Sequence, residues 1–230
     1  MLFPQHPLPR AGAVPTVNGM STHHGEAPES YDTAESWDAR YGEVEQRWSG
    51  RANSALVDLV SDLPPGRVLD VGCGEGADAI WLAARGWDVT ALDISGVAIA
   101  RAREKAGDLP VTWVVADLAE NPPPGPFDLV SLQYPALRKD SADGSLLGTI
   151  LGLVAPGGRL LVVGHDLAAV RAHNRLPEGM DPDDYLLPAD FAAAVDAGWT
   201  VETRGLRPRR QPPGYDGPDI PDDVLLSRRD

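Results

Sequence analysis

The sequence predicts a doubly wound α/β fold in a single domain, and three observations lead to this prediction. Residues 67–76 contain a short apolar run that ends in a glycine-rich turn, and residues 77–85 have the pattern of a helix. Similar apolar runs and helical patterns then alternate along the chain, which is typical of parallel strands joined by helices. The chain has 230 residues, enough for one domain with a sizeable core.

The glycine-rich turn carries the clearest functional signal. Its sequence is Asp70-x-Gly72-x-Gly74-x-Gly76. Glycine reaches positive φ angles and has no Cβ, so a ligand can lie against the backbone of such a turn. The glycines alternate as GxGxG, whereas the dinucleotide fingerprint is GxGxxG. A pyrophosphate is held by helix N–H groups, so the carboxylate of Asp70 inside the turn favours a ligand that carries positive charge.

This turn resembles the cofactor motif of class I S-adenosylmethionine-dependent methyltransferases. The resemblance implies that S-adenosylmethionine is the cofactor and that Asp70, Gly72, Gly74 and Gly76 help to bind it. It also implies a Rossmann-like sheet of seven strands in the order 3-2-1-4-5-7-6, with strand 7 antiparallel. We expect the resemblance to cover residues 31–230.

The expected domain organisation follows from composition and from this resemblance. Residues 1–30 are rich in Pro, Gly, Ser, His and Thr without apolar periodicity, which predicts a disordered tail. Residues 31–230 are expected to form the methyltransferase domain. Within that domain we expect N-terminal cover helices over residues 31–63 and the α/β core over residues 64–230.

The cover segment has aromatic residues at helical spacing, including Trp37, Tyr41 and Trp48. It is similar to the N-terminal segment of tellurite-resistance-type and thiopurine-type methyltransferases, which act on small molecules. That resemblance implies that Trp37, Trp48 and Arg51 help to enclose the cofactor, since a Trp face suits a sulfonium and a guanidinium suits a carboxylate. The alternative is an ordinary amphipathic helix that packs on the core and a surface arginine.

Two acidic positions at strand ends are candidates for binding the adenosine. Asp93 ends the second strand, 21 residues after Gly72, where a carboxylate can accept hydrogen bonds from both ribose hydroxyls. Ile94, which follows it, is expected to contact the cofactor as well. By resemblance, Asp117 and Leu118 after the third strand would contact the adenine. The alternatives are a helix N-terminal acid at Asp93 and a loop acid at Asp117.

Two further strand ends supply the candidate catalytic residues. The fourth strand ends in Gln133, a candidate cofactor-binding residue, and in Tyr134, a candidate catalytic residue. We expect both to project toward the transferring methyl group. Packing remains the alternative for Tyr134. The fifth strand ends in His165 and Asp166. An imidazole has an ordinary pKa near 6.5, so His165 is a candidate general base that Asp166 would orient, or a loop-bonded histidine.

The last third of the chain has a weaker pattern. Residues 167–188 are expected to form an irregular insert over the site, followed by a helix at 188–197. Strands are expected at 199–204 and 224–228, joined by a Pro-rich link.

Composition excludes several classes of partner. The chain has 20 Lys and Arg against 34 Asp and Glu, a formal net charge of −14, which argues against nucleic acid and anionic membrane surfaces. The single cysteine excludes an internal disulfide. No run approaches the ~18 apolar residues of a membrane span, and no signal-peptide pattern is evident. These features predict a cytoplasmic protein that is a monomer or a homodimer and binds no metal.

The combined prediction is a methyltransferase that acts on a small molecule by in-line transfer. The acceptor is a phenol, a thiol, a heterocyclic nitrogen or a metalloid oxyanion, because each can attack a methyl group on sulfur. The fourth strand lacks the Asn/Asp-Pro-Pro-Tyr/Phe motif of enzymes that methylate base amines. Two alternatives remain: a non-catalytic cofactor-binding or interaction protein on the same fold, and a nicotinamide-dependent oxidoreductase.

Overall fold

The computed structural model describes residues 33–139, 145–174, 176, 181–211, 215 and 217–230. The predicted disordered tail lies outside these residues. The strands are β1 (Arg67–Val71), β2 (Asp88–Asp93), β3 (Val111–Val115), β4 (Phe127–Gln133), β5 (Val154–His165), β6 (Trp199–Arg207) and β7 (Asp222–Arg229). The helices are α1 (Ala34–Gly42), α2 (Ser54–Val60), α3 (Ala77–Ala83), α4 (Gly96–Ala106), α5 (Ser145–Gly152), α6 (Leu167–Ala172), a 3₁₀ turn (Pro182–Asp184) and α7 (Pro188–Ala194).

The seven strands form one sheet in the order β3-β2-β1-β4-β5-β7-β6. β1 is parallel to β2 and β4, and β7 is antiparallel to both β5 and β6. The predicted doubly wound fold and strand order are therefore confirmed. In such a sheet the carboxyl ends of the parallel strands meet at one edge, where ligands bind.

The core lies in two layers, one on each face of the sheet. Side chains alternate along β1, so Val68 belongs to one layer and Leu69 to the other. The first layer includes Leu56 of α2 and Leu82 of α3, and the second includes Ile150 of α5. Because both faces are covered, β1 is apolar on both sides apart from Arg67 at its exposed start and Asp70, as a central parallel strand requires.

The structure differs from the sequence prediction mainly after residue 152. β5 begins at Val154 and includes residues 156–158, where its pairing with β4 is irregular. Residues 167–188 are not wholly irregular, because they include the short helix α6 and a 3₁₀ turn. A six-residue helix offers too few turns for a periodic pattern, which is why the sequence did not predict it.

Among the residues that the structure describes, no helix is both long and apolar enough to cross a membrane.

Candidate active site

A cavity of about 280 Å³ lies at the carboxyl ends of β1, β2 and β4, beneath α1. Its walls come from the residues that follow these strands, from the loop after β3 and from the first turn of α5. The lining residues are Trp37, Tyr41, Val71, Gly72, Leu92, Asp93, Ile94, Ala116, Asp117, Leu118, Ala119, Tyr134, Pro135, Ala136, Leu137, Arg138 and Leu146. The set brings together seven residues that the sequence predicted: Trp37, Gly72, Asp93, Ile94, Asp117, Leu118 and Tyr134.

The three glycines of the turn have different surroundings, although all have positive φ angles. A Cβ at Gly72 would meet no atom within 4 Å, so the backbone here is open to the cavity. A Cβ at Gly74 would lie 3.0 Å from the Tyr41 hydroxyl, and one at Gly76 would lie 2.7 Å from the Trp113 ring. Gly72 is therefore the glycine that leaves room for a ligand, whereas Gly74 and Gly76 permit close packing.

Asp93 is held in place by two backbone groups. Its Oδ2 accepts a hydrogen bond from the Gly74 N–H and its Oδ1 from the Ser95 N–H, each at 2.8 Å. Burial raises the pKa of this carboxyl, while the two N–H donors act to lower it. Each carboxylate oxygen accepts more than one hydrogen bond, so both retain acceptor capacity toward the cavity. These two acceptor oxygens and the opening at Gly72 fit a ligand that carries a vicinal diol.

The loop after β3 supplies a second carboxylate beside an apolar wall. Asp117 Oδ1 accepts a hydrogen bond from the Ala119 N–H at 2.8 Å. Leu118 is buried next to it, and Ile94 lines the same cavity. An apolar wall flanked by a carboxylate suits a flat ring with an amino group, such as adenine.

An aromatic cluster from the cover segment closes the top of the cavity. The rings of Trp37 and Tyr41 lie with their centroids 6.1 Å apart, and both residues line the cavity. Trp48 lies behind them and donates a hydrogen bond from Nε1 to the Tyr41 hydroxyl at 3.0 Å. Because α1 ends at Gly42, Trp48 does not continue the helical face, and its predicted contact with the cofactor is replaced by support of Tyr41.

The cover is attached to the glycine-rich turn through the buried carboxylate of Glu75. This carboxylate accepts hydrogen bonds from the backbone N–H groups of Arg47 and Trp48, at 3.2 Å and 3.1 Å. It also pairs with Arg101 and Lys105 of α4, at 3.2 Å and 3.6 Å. Glu75 thus joins the cover, the turn and α4 in one network.

Asp70 does not line the cavity, contrary to its predicted role. It is fully buried on the face of β1 that packs against α3, and its Oδ2 has no hydrogen-bond partner among the described residues. Burial, together with the nearby Asp78 and Asp93, raises the pKa of Asp70 well above its ordinary value. Burial also raises the pKa of Asp78, to about 6, although that carboxylate accepts two hydrogen bonds from Asn53. Asp70 and Asp78 therefore lie behind the turn and do not line the cavity.

Tyr134 lies at the point where β4 ends and lines the cavity in a left-handed backbone conformation, with φ at 51°. Its hydroxyl donates a hydrogen bond of 2.6 Å to Asp222 Oδ1. Burial raises the pKa of the phenol well above its ordinary value. The hydroxyl is therefore protonated at neutral pH, and its proton is donated in the hydrogen bond to Asp222.

His165 lies behind Tyr134 and not on the cavity wall. Their ring centroids are 4.4 Å apart with the planes tilted by 30°. Burial, reinforced by the charge of Arg209, lowers the pKa of His165 to about 2. Asp166 caps α6 through the Ala168 N–H and is not used to orient the imidazole. The placement favours a supporting role for His165 over the predicted role as general base.

Two other predicted residues also lie away from the cavity. Gln133 is buried in β4, where its Nε2 donates a hydrogen bond to Ser131 Oγ at 3.1 Å. Arg51 is exposed and lines a second, polar pocket near α2. The alternation of side chains along a strand explains why Gln133 lies away from the cavity that Tyr134 lines, because two successive residues face opposite sides.

The sequence missed several wall residues and the partner of Tyr134. Leu137 and Leu146 line the cavity, but an isolated leucine after a strand or in a short helix carries no signal of a site. Asp222 comes from β7, 88 residues after Tyr134. Only the antiparallel register, which pairs Asp222 with His165, brings it to this position.

Comparison with known proteins agrees with this geometry. Residues 68–158, which carry the glycine-rich turn and both strand-end acids, match the family described as a methyltransferase domain. The matched residues make up less than half of the chain. The match supports the methyltransferase prediction made from the GxGxG turn. The assignment to the tellurite-resistance and thiopurine-type branch stays a prediction.

Curated relatives include an uncharacterized methyltransferase of Mycobacterium tuberculosis, 39% identical over 123 residues. That match spans 52% of this chain and only 61% of the relative's own length. A 2-heptyl-1-hydroxyquinolin-4(1H)-one methyltransferase of Mycobacteroides abscessus is 27% identical over 189 residues, which is 79% of this chain and 76% of that protein.

Solved structures show the methyltransferase fold over most of the chain. One, from work on the conversion of a disulfide bond into a thioacetal group during echinomycin biosynthesis, is 26% identical with a TM-score of 0.66. The match covers 86% of this chain and 91% of that one. The N-methyltransferase NodS from Bradyrhizobium japonicum, in complex with S-adenosyl-L-homocysteine, has a TM-score of 0.61 at 17% identity. That match covers 86% of this chain and 99% of the NodS chain.

Proposed function

We propose that the protein transfers a methyl group from S-adenosylmethionine to a small, largely apolar acceptor. One observation carries the proposal: a single cavity joins the open backbone at Gly72 and the carboxylate of Asp93 to an apolar wall. The methyltransferase domain supports the choice of cofactor. The charge of −14 supports a small molecule over a nucleic acid.

The residues at the β1, β2 and β3 ends would hold the cofactor. Gly72 leaves space for it against the backbone, Asp93 accepts from the ribose hydroxyls, and Asp117 with Leu118 meets the adenine. When bound, S-adenosylmethionine supplies a methyl group on a sulfonium, which is an excellent leaving group. Trp37 and Tyr41 exclude water from above, and their π faces suit a positive charge.

The acceptor would occupy the end of the cavity nearest Tyr134. Leu137 and Leu146 make this end apolar, which favours an organic ring or thiol and argues against the metalloid oxyanion included in the sequence prediction. The hydroxyquinolone methyltransferase of Mycobacteroides abscessus, by its name, acts on an aromatic acceptor, and its similarity supports this choice.

The chain's own residues align the acceptor and do not deprotonate it. The ionisable residues among those described on the wall are Tyr41, Asp93, Asp117, Tyr134 and Arg138. Burial keeps Tyr41 and Tyr134 protonated by raising the pKa of each phenol. We therefore propose acceptors whose nucleophilic atom is ionised without a base at neutral pH, such as acidic thiols and acidic hydroxyl groups. Alignment in a dry site then provides the acceleration.

Calorimetry followed by a transfer assay tests this function. Purified protein is titrated with S-adenosylhomocysteine, with NAD as a parallel control, and then incubated with labelled S-adenosylmethionine and a panel of thiols, hydroxyquinolones and phenols. Binding of S-adenosylhomocysteine with methylation of acidic acceptors is expected. Binding without any transfer would favour a non-catalytic cofactor-binding protein, and binding of NAD alone would overturn the cofactor assignment. Cytoplasmic location and a monomeric or homodimeric state stay predictions.

A further inference from the structure

A second pocket, of about 310 Å³, lies beside the start of α2. It is formed by the segment that precedes this helix and by the residues that follow β6. Its lining residues are Ser49, Arg51, Ala52, Asn53, Ser54, Val57, Arg209, Arg210 and Gln211. Among the residues that the structure describes, the lining of this basic pocket has three arginines and no acidic residue, in a chain whose net charge is −14.

The three guanidinium groups differ in their partners. Arg210 pairs with Asp58 of α2, so its charge is already balanced. In the described part of the chain, neither Arg51 nor Arg209 has an ion pair or a side-chain hydrogen bond to a carboxylate. The charge of Arg209 also acts on Asp222, whose pKa it lowers, although that carboxylate is hydrogen-bonded to Tyr134. Three guanidinium groups beside these two carboxylates leave an excess of positive charge in one concave site, and this excess attracts an anion.

Arg209 connects the basic pocket to the cavity. Its guanidinium carbon lies 4.8 Å from the centre of the Tyr134 ring, and Tyr134 lines the cavity. The arginine is half-buried at this contact, so the ring fixes the position of its charge. Tyr134 and Arg209 therefore form the boundary between an apolar cavity and a positively charged pocket.

We propose that the basic pocket binds an oxyanion, a carboxylate or a phosphate, that is carried by the methyl acceptor. Arg51 and Arg209 are the binding residues, since each planar guanidinium can donate two parallel hydrogen bonds to such a group. The acceptor is then an amphipathic molecule with an apolar reacting end in the cavity and an anionic end beyond Tyr134. This inference rests on the proposed function.

Binding of small probes tests the subsite without turnover. Saturation-transfer NMR compares benzoate and phenyl phosphate with benzamide, a neutral relative of benzoate of the same shape. We expect at least one of the two anions to bind and benzamide to give no signal. The Arg51→Gln/Arg209→Gln double variant should weaken anion binding by about tenfold or more, as expected for the loss of charge-assisted hydrogen bonds.

A matched control separates the subsite from overall charge. Arg85 stacks on Trp81, 3.9 Å from its ring centre, and lines neither pocket. The Arg85→Gln variant should keep anion binding, and thermal unfolding should show that all variants fold. Equal binding of anions to the wild type and the double variant would overturn the proposal. Inorganic phosphate that binds as tightly as phenyl phosphate would also overturn it, because the site would then serve a free ion.

Titration with S-adenosylhomocysteine separates this proposal from the proposed function. If the wild type does not bind it, the methyltransferase function fails whatever the anion result. If the double variant binds it as the wild type does but loses benzoate, the subsite belongs to the acceptor. A loss of S-adenosylhomocysteine affinity in the double variant would instead indicate that Arg51 contacts the cofactor, as the sequence predicted. The proposal of an acceptor subsite would then be wrong.

Discussion

Tyr134 and Asp222 are joined by a 2.6 Å hydrogen bond between the phenol and the carboxylate. The bond links the end of β4 to the start of β7, and it fixes the ring that lines the cavity. Both groups are buried, and a hydrogen bond is stronger in the protein interior than in water. The position of the acceptor wall thus depends on a contact between two distant parts of the chain.

We expect the Tyr134→Phe variant to be less stable by about 1–3 kcal/mol at neutral pH, because it leaves the Asp222 carboxylate buried without its donor. Burial already raises the pKa of Asp222, and the Tyr134 hydroxyl acts to lower it. The variant should raise that pKa further. A carboxyl with a raised pKa in the folded state favours folding at low pH, so the loss should be greatest at neutral pH and shrink as Asp222 is protonated.

Urea unfolding of the wild type and the variant, from neutral pH down to the pH at which Asp222 is protonated, measures the difference in stability. A Tyr134→Phe/Asp222→Asn double variant is the control, since a neutral amide removes the buried charge and should recover part of the stability. A loss in Tyr134→Phe that does not change with pH would show that packing, and not the carboxylate, is responsible.

Alanine at two glycines of the same turn should affect different properties. At Gly72, a Cβ would enter open space beside the cavity, so Gly72→Ala should fold with a loss of about 1 kcal/mol or more from its positive φ angle and bind S-adenosylhomocysteine poorly. At Gly76, a Cβ would lie 2.7 Å from Trp113 and 2.8 Å from Ala102. Gly76→Ala should therefore lose more stability than Gly72→Ala.

Calorimetry of ligand binding and thermal unfolding of both variants compare the two effects. Gly148 provides the control, because it lies in α5, where an added methyl group would meet no atom within 4 Å, and alanine is favoured over glycine in a helix. Equal ligand affinity in the wild type and Gly72→Ala would contradict the placement of the ligand against this backbone.

The part of the site that the sequence predicts well is local in the chain. Gly72 and Asp93 follow directly from a strand, a turn and the next strand, so their pattern fixes their place at the sheet edge. Trp48 was predicted to enclose the cofactor from the resemblance of the cover segment, but α1 ends at Gly42 and the indole N–H of Trp48 binds the Tyr41 hydroxyl.

Contacts between distant segments could not be predicted in the same way. Nothing in the pattern around Asp222 or Arg209 indicates that either lies against Tyr134, because that contact depends on how β7 and the segment after β6 return to the site. His165 shows the same limit: a histidine at a strand end suggests chemistry, but its burial behind Tyr134 depends on the packed sheet.

Replacing Asp93 by Asn should weaken S-adenosylhomocysteine binding while keeping the side chain's shape. One acceptor oxygen is replaced by an amide donor, which removes a charge-assisted hydrogen bond worth about 1.5–3 kcal/mol. The replacement also affects the bonds from Gly74 and Ser95, so thermal unfolding must accompany calorimetry. Asp62→Asn, at an exposed position outside the cavity, is the control. Unchanged affinity in a folded Asp93→Asn protein would refute the ribose assignment.

His165 should act on stability and not as the catalytic base. Burial lowers its pKa from the ordinary value of 6.5 to about 2, so the folded protein holds it neutral while the unfolded chain takes up a proton below pH 6.5. Stability should therefore fall as the pH drops below 6.5, by about 1.4 kcal/mol per pH unit from this residue.

The His165→Phe variant tests both halves of this statement, since an aromatic ring can keep the contact with Tyr134. Its urea unfolding between pH 7 and pH 5, a range set by the ordinary pKa of histidine, should depend on pH less steeply than that of the wild type. Methyl transfer to an acidic thiol should persist, because that acceptor is ionised without a base. Loss of transfer in a folded variant that still binds S-adenosylhomocysteine, together with an unchanged pH dependence of stability, would restore the predicted role of His165 as general base.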